Sequence, residues 1–120
     1  WHPAKLRFGS NTLKSFREES EPHVLKDEDI VFIDIGPVIE GHEADYGETF
    51  AIGSQFDHKH IADSARKVFH EVGAYLLKER CDGEKLYEFA VNRARHYGYE
   101  MNRKSNGHRI GDFPHHIHFK

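Results

Sequence analysis

Residues 30–53 read IVFIDIGPVIEGHEADYGETFAIG and set the strand pairing of the chain. Residues 30–38 form a short apolar run rich in β-branched side chains, which predicts a β-strand. Residues 40–42 (EGH) predict a turn, after which residues 46–52 return as a second strand. This stretch therefore predicts an antiparallel β-hairpin.

An acidic residue lies in the middle of the first predicted strand. Because side chains alternate along a strand, Asp34 shares a face with the apolar Phe32. An unpaired carboxylate on an apolar face costs free energy, so Asp34 needs a partner or a metal ion. A turn centred between Ile39 and Glu40 would place Asp45 directly opposite Asp34, on the same side of the sheet.

Two ionised carboxylates this close repel each other, and a divalent cation between them removes the repulsion. The spacing alone leaves a second interpretation open, in which Asp34 is hydrogen-bonded to a neighbour and Asp45 is an ordinary hairpin residue. Histidines could complete a metal site, because imidazole and carboxylate together suit Zn, Mn, Fe or Co.

Histidine is unusually frequent, with 11 in 120 residues. His108 is a candidate metal ligand, as is the cluster His115, His116 and His118. Alternation along a strand would put His115 on the face opposite the other two, so the three cannot all serve one site. Residues 57–60 (DHKH) could form another metal-binding turn, although a solvated loop before the first helix fits them better. The other histidines are expected to lie on the surface or to be satisfied by hydrogen bonds: His2, His23, His42, His70 and His96.

Two helices are predicted after the hairpin. Apolar residues recur at helical spacing between residues 61 and 76. Asp82 is the predicted N-cap of a second helix, and Gly98 is its natural stop. Residues 1–29 are polar and indicate loop and extended segments, and the His-rich end of the chain indicates further strand. This order predicts an α+β fold in which two helices pack on one face of a mostly antiparallel sheet.

Composition excludes several classes of function. A chain of 120 residues with 38% hydrophobic side chains can bury one small core, so we expect a single domain over residues 1–120. A net charge of −3 gives no basic field for nucleic acid, and no apolar run approaches the roughly 20 residues of a membrane helix. The single cysteine, Cys81, excludes an internal disulfide and fits a reducing, cytoplasmic compartment.

Residues 30–53 resemble a segment of the pita-bread metallopeptidases (methionine aminopeptidase, aminopeptidase P, prolidase and creatinase) in which an apolar strand carries a metal-binding aspartate. In that family a second metal-binding aspartate follows eleven residues later, and Asp34 and Asp45 occupy these places. Residues 107–111 (GHRIG) are similar to the family's Gly-His-x-Ile-Gly segment, with His108 in the ligand position. The resemblance extends from about residue 8 to the end of the chain.

The resemblance implies a partial pita-bread fold and a metal-dependent peptidase, of aminopeptidase or Xaa-Pro peptidase type, that hydrolyses peptide substrates. It implies that Asp34, Asp45 and His108 help to bind two divalent ions (Mn, Co, Zn or Fe), which activate a water molecule. It also implies that His115, seven residues after His108, stabilises the carbonyl oxygen or positions the substrate.

The chain departs from the family pattern in two places. The family has two glutamate ligands after the metal-binding histidine, whereas Asp112 is the only acidic residue after His108. Relatives also carry a substrate-contacting histidine shortly before the first strand, and residues 13–16 (LKSF) contain none.

From these departures we expect the chain to be the N-terminal part of a truncated catalytic domain, weakly active or inactive alone. We expect its uncovered sheet to pair with another copy of the chain, as a homo-oligomer, or with its missing C-terminal half. Two alternatives stay open: a non-catalytic pita-bread scaffold that binds proteins, and a histidine-rich metal-binding protein without peptidase ancestry.

Overall fold

The computed structural model describes residues 2–15, 17–102 and 107–108. Two helices and a set of antiparallel strands confirm the predicted α+β class. Predictions for residues 109–120, including the histidine cluster and the further strand, lie outside the described residues. In chain order the elements are β1 (His2–Phe8), a 3-10 helix (Gly9–Leu13), β2 (Ile30–Gly36), β3 (Val38–Ile39), β4 (His42–Glu43), β5 (Tyr46–Ala51), α1 (Phe56–Glu79) and α2 (Gly83–His96).

Three strands form an antiparallel sheet in the order β1-β2-β5. The predicted hairpin strands correspond to β2 and β5, which pair along their lengths. The expectation of loop and extended segments over residues 1–29 is too coarse, because residues 2–8 are a paired strand. This strand, HPAKLRF, has mixed polarity and a proline, which edge strands tolerate and sequence patterns do not flag.

The register predicted for the hairpin is wrong by two residues. Asp34 pairs with Gly47 and not with Asp45. The turn is centred one residue later than predicted, because Glu40 and Gly41 both adopt positive φ, at 51° and 84°. Two positive φ values in succession are typical of the two-residue turns that match the twist of a hairpin. A shift of two residues keeps Asp45 on the same side of the sheet as Asp34, so the two carboxylates remain neighbours.

The helices cover one face of the sheet, with α1 against β5 and α2 packed on α1. As predicted, the Asp82 carboxylate caps α2 by accepting from the backbone N–H of Lys85 at 2.9 Å. The chain leaves α2 through Gly98, whose φ of 86° favours glycine. The prediction of a loop at residues 57–60 is wrong, because His58 and His60 lie in the first turns of α1. Among the described residues, no helix has the length and apolar character to cross a membrane.

Side chains alternate between the two faces of the sheet, and this separates α1 from the acidic residues. On one face Glu48 accepts from Arg66 of α1 at 2.7 Å, and Tyr46 contacts Phe69 of α1 edge-to-face. Asp34 pairs with the residue between Tyr46 and Glu48, so it points to the opposite face. The candidate site therefore lies on the side of the sheet away from α1.

A carboxylate between the helices ties α1 to α2. Glu71 of α1 accepts from the Arg93 guanidinium at 2.6 and 3.0 Å and from the Tyr97 hydroxyl at 2.7 Å. These hydrogen bonds, with that of Arg93 the strongest, lower the pKa of Glu71 from 4.5 to about 2. The ionised carboxylate is therefore the form that the folded state stabilises.

We expect Glu71→Gln to lower the free energy of unfolding at pH 7 and to matter progressively less in acid. Because the folded-state pKa lies below that of the unfolded chain, this stabilisation is complete well above pH 4.5 and is lost as the pH falls toward 2. Urea unfolding of both proteins at neutral and acidic pH measures the difference, with the exposed Glu88→Gln on α2 as control. A difference that stays constant with pH would contradict the prediction.

Candidate metal centre

Three side chains on the face opposite α1 bring possible metal-ligand atoms together. One atom each of His2, Asp34 and Asp45 lies within 4.8 Å of the other two. His2 begins β1, Asp34 lies in β2, and Asp45 directly precedes β5, so the group depends on the pairing of all three strands. One imidazole and two carboxylates form a donor set that suits Zn, Mn, Fe or Co. The residues present therefore fit a divalent cation.

The imidazole of His2 is oriented by a hydrogen bond through one of its two nitrogens. Its side chain is only 5% exposed, and Nδ1 donates to the carbonyl of Pro3 at 2.8 Å. Because a carbonyl can only accept, the neutral ring carries its proton on Nδ1 and keeps a lone pair on Nε2. Histidine ligands commonly make such a second hydrogen bond, which fixes the tautomer and the ring orientation.

The Nε2 atom of His2 lies on the side of the acidic pair. Nε2 lies 3.7 Å from Oδ1 of Asp34. This distance is too long for a hydrogen bond but leaves both atoms close enough to bind one cation. Burial raises the pKa of Asp34 above its ordinary value, and the charge of Asp45 raises it further, while His2 and Lys5 oppose the rise. The two carboxylates thus destabilise each other, and a bound cation would remove that cost.

His108 approaches the group from the side of Asp45. Its Nε2 lies 3.1 Å from Oδ2 of Asp45, and its side chain is 40% exposed. Asp45 is thus the residue that both Asp34 and His108 approach. In the part of the chain that the structure describes, the three-residue group contains His2 in place of His108. His115, the substrate-contacting residue that the resemblance implies, lies outside the described residues.

The position of His2 beside the acidic pair was not evident from its sequence neighbourhood. The hydrogen bond to Pro3 agrees with the prediction of a satisfied histidine, but the approach of Nε2 to Asp34 is new. His2 pairs with Gly36, two residues beyond Asp34, across an irregularity in the β1–β2 ladder. An antiparallel alignment of residues 2–8 with β2 is the signal that could have predicted the position of His2 beside Asp34.

We expect His2→Ala to weaken the binding of Mn²⁺ by about tenfold, because one nitrogen donor is lost while both carboxylates remain. Isothermal titration calorimetry of the two proteins measures the change. His42→Ala, at the start of β4, is the matched control and should bind as the wild type does. Unchanged affinity in His2→Ala would exclude His2 as a ligand.

Comparison with known proteins identifies a family for the chain. The model of metallopeptidase family M24 matches residues 2–119, which is nearly the whole chain. Neither the curated proteins nor the solved structures yield a match.

Proposed function

The chain belongs to metallopeptidase family M24, and from this premise we propose that it hydrolyses peptide bonds at the site formed by His2, Asp34 and Asp45. One observation carries the proposal: in a chain of this family, ligand atoms of one imidazole and two carboxylates, from β1, β2 and the residue before β5, lie within 4.8 Å of one another. Such a group is costly without a cation, because Asp34 is partly buried and faces another carboxylate.

We assign the cation to Asp34 and Asp45, with His2 and His108 as nitrogen donors. The carboxylates supply the negative charge, and the lone pair on Nε2 of His2 is already oriented by the hydrogen bond to Pro3. A divalent cation bound there would lower the pKa of a water molecule and polarise a carbonyl group. Two such ions, of Mn, Co, Zn or Fe, are proposed from the family resemblance.

The substrate would approach over Gly47 of β5. Gly47 pairs with Asp34, and among the described residues a Cβ at that position would meet only the backbone oxygen of Ile33, at 3.5 Å. A peptide can therefore approach the backbone of β5 beside the acidic pair. We propose, from the family resemblance, that His115 positions the substrate carbonyl.

We propose that the specific peptidase activity is that of an aminopeptidase or an Xaa-Pro peptidase. Support comes from the resemblance of residues 30–53 and 107–111 to the segments of those enzymes. The two types differ in whether proline follows the scissile bond, so a pair of matched peptides separates them.

The test is metal-dependent peptide hydrolysis by the purified chain. Metal-free protein is loaded with Mn²⁺, Co²⁺ or Zn²⁺ and assayed on Ala-Ala-Ala and Ala-Pro-Ala, with Asp63→Asn of the exposed α1 surface as a control variant. We expect slow hydrolysis that requires the metal, persists in Asp63→Asn and disappears in Asp34→Asn. Hydrolysis that proceeds without metal, or that Asp34→Asn retains, would overturn the proposal of a peptidase site at Asp34 and Asp45.

A further inference from the structure

The fold leaves large apolar side chains on its surface. Among the described residues, the buried apolar side chains are those of one valine and three alanines: Val31, Ala62, Ala90 and Ala94. An alanine side chain buries little area, so these residues contribute little of the hydrophobic free energy that stabilises a domain. Several larger apolar side chains of the sheet and of α1 are exposed instead. Folding of one chain thus leaves apolar surface that a partner can still bury.

The exposed apolar side chains of the sheet share the side on which α1 lies. Leu6 of β1 pairs with Ile33 of β2, and Ile33 pairs with Glu48, which contacts α1. Paired residues point to the same side of a sheet, so Leu6 and Ile33 lie on the helix side. Ile35 lies on that side too, because side chains alternate along β2. Leu6 is 52% exposed, and Ile33 and Ile35 are each 38% exposed.

The position of α1 leaves a step beside the helix on this face. α1 packs mainly against β5, so it stands next to the exposed part of β1 and β2. Two neighbouring strands together are about 10 Å wide, which is about the diameter of a helix with its side chains. Phe69 of α1 borders the step: its ring meets Tyr46 edge-to-face and is 63% exposed. This open face, defined by Leu6, Ile33, Ile35 and Phe69, has the width to receive one further helix.

The charges beside the open face are neutralised within the chain. Among the described residues of β1, β2 and β5 that point to the helix side, Glu48 is the only charged one. Its carboxylate pairs with Arg66 of α1 at 2.7 Å. Two such faces can therefore approach each other without opposing like charges. Because a two-fold axis requires a surface to bind its own copy, the open face suits a second copy of the chain.

The exposed area is sufficient for a stable dimer. A folded monomer of 14.0 kDa is expected to expose about 6,700 Å², whereas this chain exposes 9202 Å². The excess of about 2,500 Å² is larger than the roughly 800 Å² that each partner contributes to a specific interface. Association of two chains would thus bring the exposed surface closer to that of a compact protein.

We propose that two copies of the chain associate through the open face, with α1 of each copy lying on β1 and β2 of the other. This arrangement buries the open faces of both copies at once, as a two-fold axis requires. Asp34 points to the opposite side of the sheet, so the interface does not involve the candidate metal centre. The inference goes beyond the proposed peptidase function and does not depend on it.

Sedimentation equilibrium of the purified chain, over a range of micromolar concentrations, tests the interface. We expect the wild type to have twice the chain mass of 14.0 kDa. Leu6→Glu and Phe69→Glu change two different elements, and each should raise the dissociation constant at least about tenfold, because a charge would be buried in an apolar interface. Leu77→Glu makes the same change at an exposed position further along α1, outside the open face, and should associate as the wild type does.

A second measurement separates lost association from lost folding. Leu6 and Phe69 are both exposed in the single chain, so neither substitution disturbs a buried side chain. Circular dichroism should therefore show the same helical signal in both variants as in the wild type. A wild-type chain that stays a folded monomer at the highest concentration would overturn the inference. A dimer that both Leu6→Glu and Phe69→Glu retain would also overturn it, because its interface would lie elsewhere.

Discussion

Replacing Asp34 with asparagine is expected to abolish tight binding of a divalent cation and, at the same time, to stabilise the metal-free protein. Asparagine keeps the shape of the side chain but removes the charge, so Mn²⁺ affinity should fall by at least about 100-fold. The stability of the metal-free protein should rise for the same reason. Burial and the charge of Asp45 raise the pKa of Asp34, so at pH 7 the unfolded chain accommodates the ionised carboxylate better than the folded one does.

Thermal unfolding with and without Mn²⁺ measures both effects in one experiment. Wild-type protein should unfold at a higher temperature when Mn²⁺ is present, because an ion that binds only the folded state stabilises it. Asp34→Asn should unfold at a higher temperature than the metal-free wild type and should not respond to Mn²⁺. Asp63→Asn changes an exposed ion pair on α1 and should behave as the wild type does. A variant that is less stable without metal, or that still responds to it, would contradict the assignment of Asp34.

Arg7→Met is expected to destabilise the fold by about 3 kcal/mol, because it removes charge-assisted hydrogen bonds from a buried side chain. Arg7 is 3% exposed. Its guanidinium donates to the carbonyl of Lys14 at 2.5 Å and to that of Glu18 at 2.8 Å. Arg7 thereby holds the segment that follows the 3-10 helix against β1. Methionine preserves the apolar stem and leaves these carbonyls to water.

Two measurements separate this local effect from general unfolding. Urea denaturation reports the loss of stability, and Arg66→Met, in a half-exposed pair with Glu48, should lose much less. Cleavage by a glutamate-specific protease reports release of the segment, which contains Glu18, Glu19 and Glu21. We expect cleavage there to accelerate in Arg7→Met and not in Arg66→Met. Equal protection in all three proteins would show that Arg7 does not hold the segment.

Local sequence patterns were sufficient to predict the two hairpin strands and the second helix. The β-branched run at residues 30–38 and the capping carboxylate of Asp82 each act over a few residues, so their physical effect is readable without knowledge of the fold. The centre of the turn between the two hairpin strands was predicted wrongly. Moving its centre by one residue, to the pair Glu40 and Gly41, changed the partner of Asp34 from Asp45 to Gly47.

Sequence patterns thus supplied the α+β class and the spacing of Asp34 and Asp45, because strand alternation depends only on near neighbours in the chain. The residues that surround those carboxylates are determined by strand pairing between segments far apart in the sequence, which only the tertiary structure shows. β1, which no pattern identified, lies beside β2 and brings His2 and Lys5 to Asp34 from about 30 residues upstream. Such pairings are selected by burial and hydrogen bonding across the whole sheet, which no short window of residues contains.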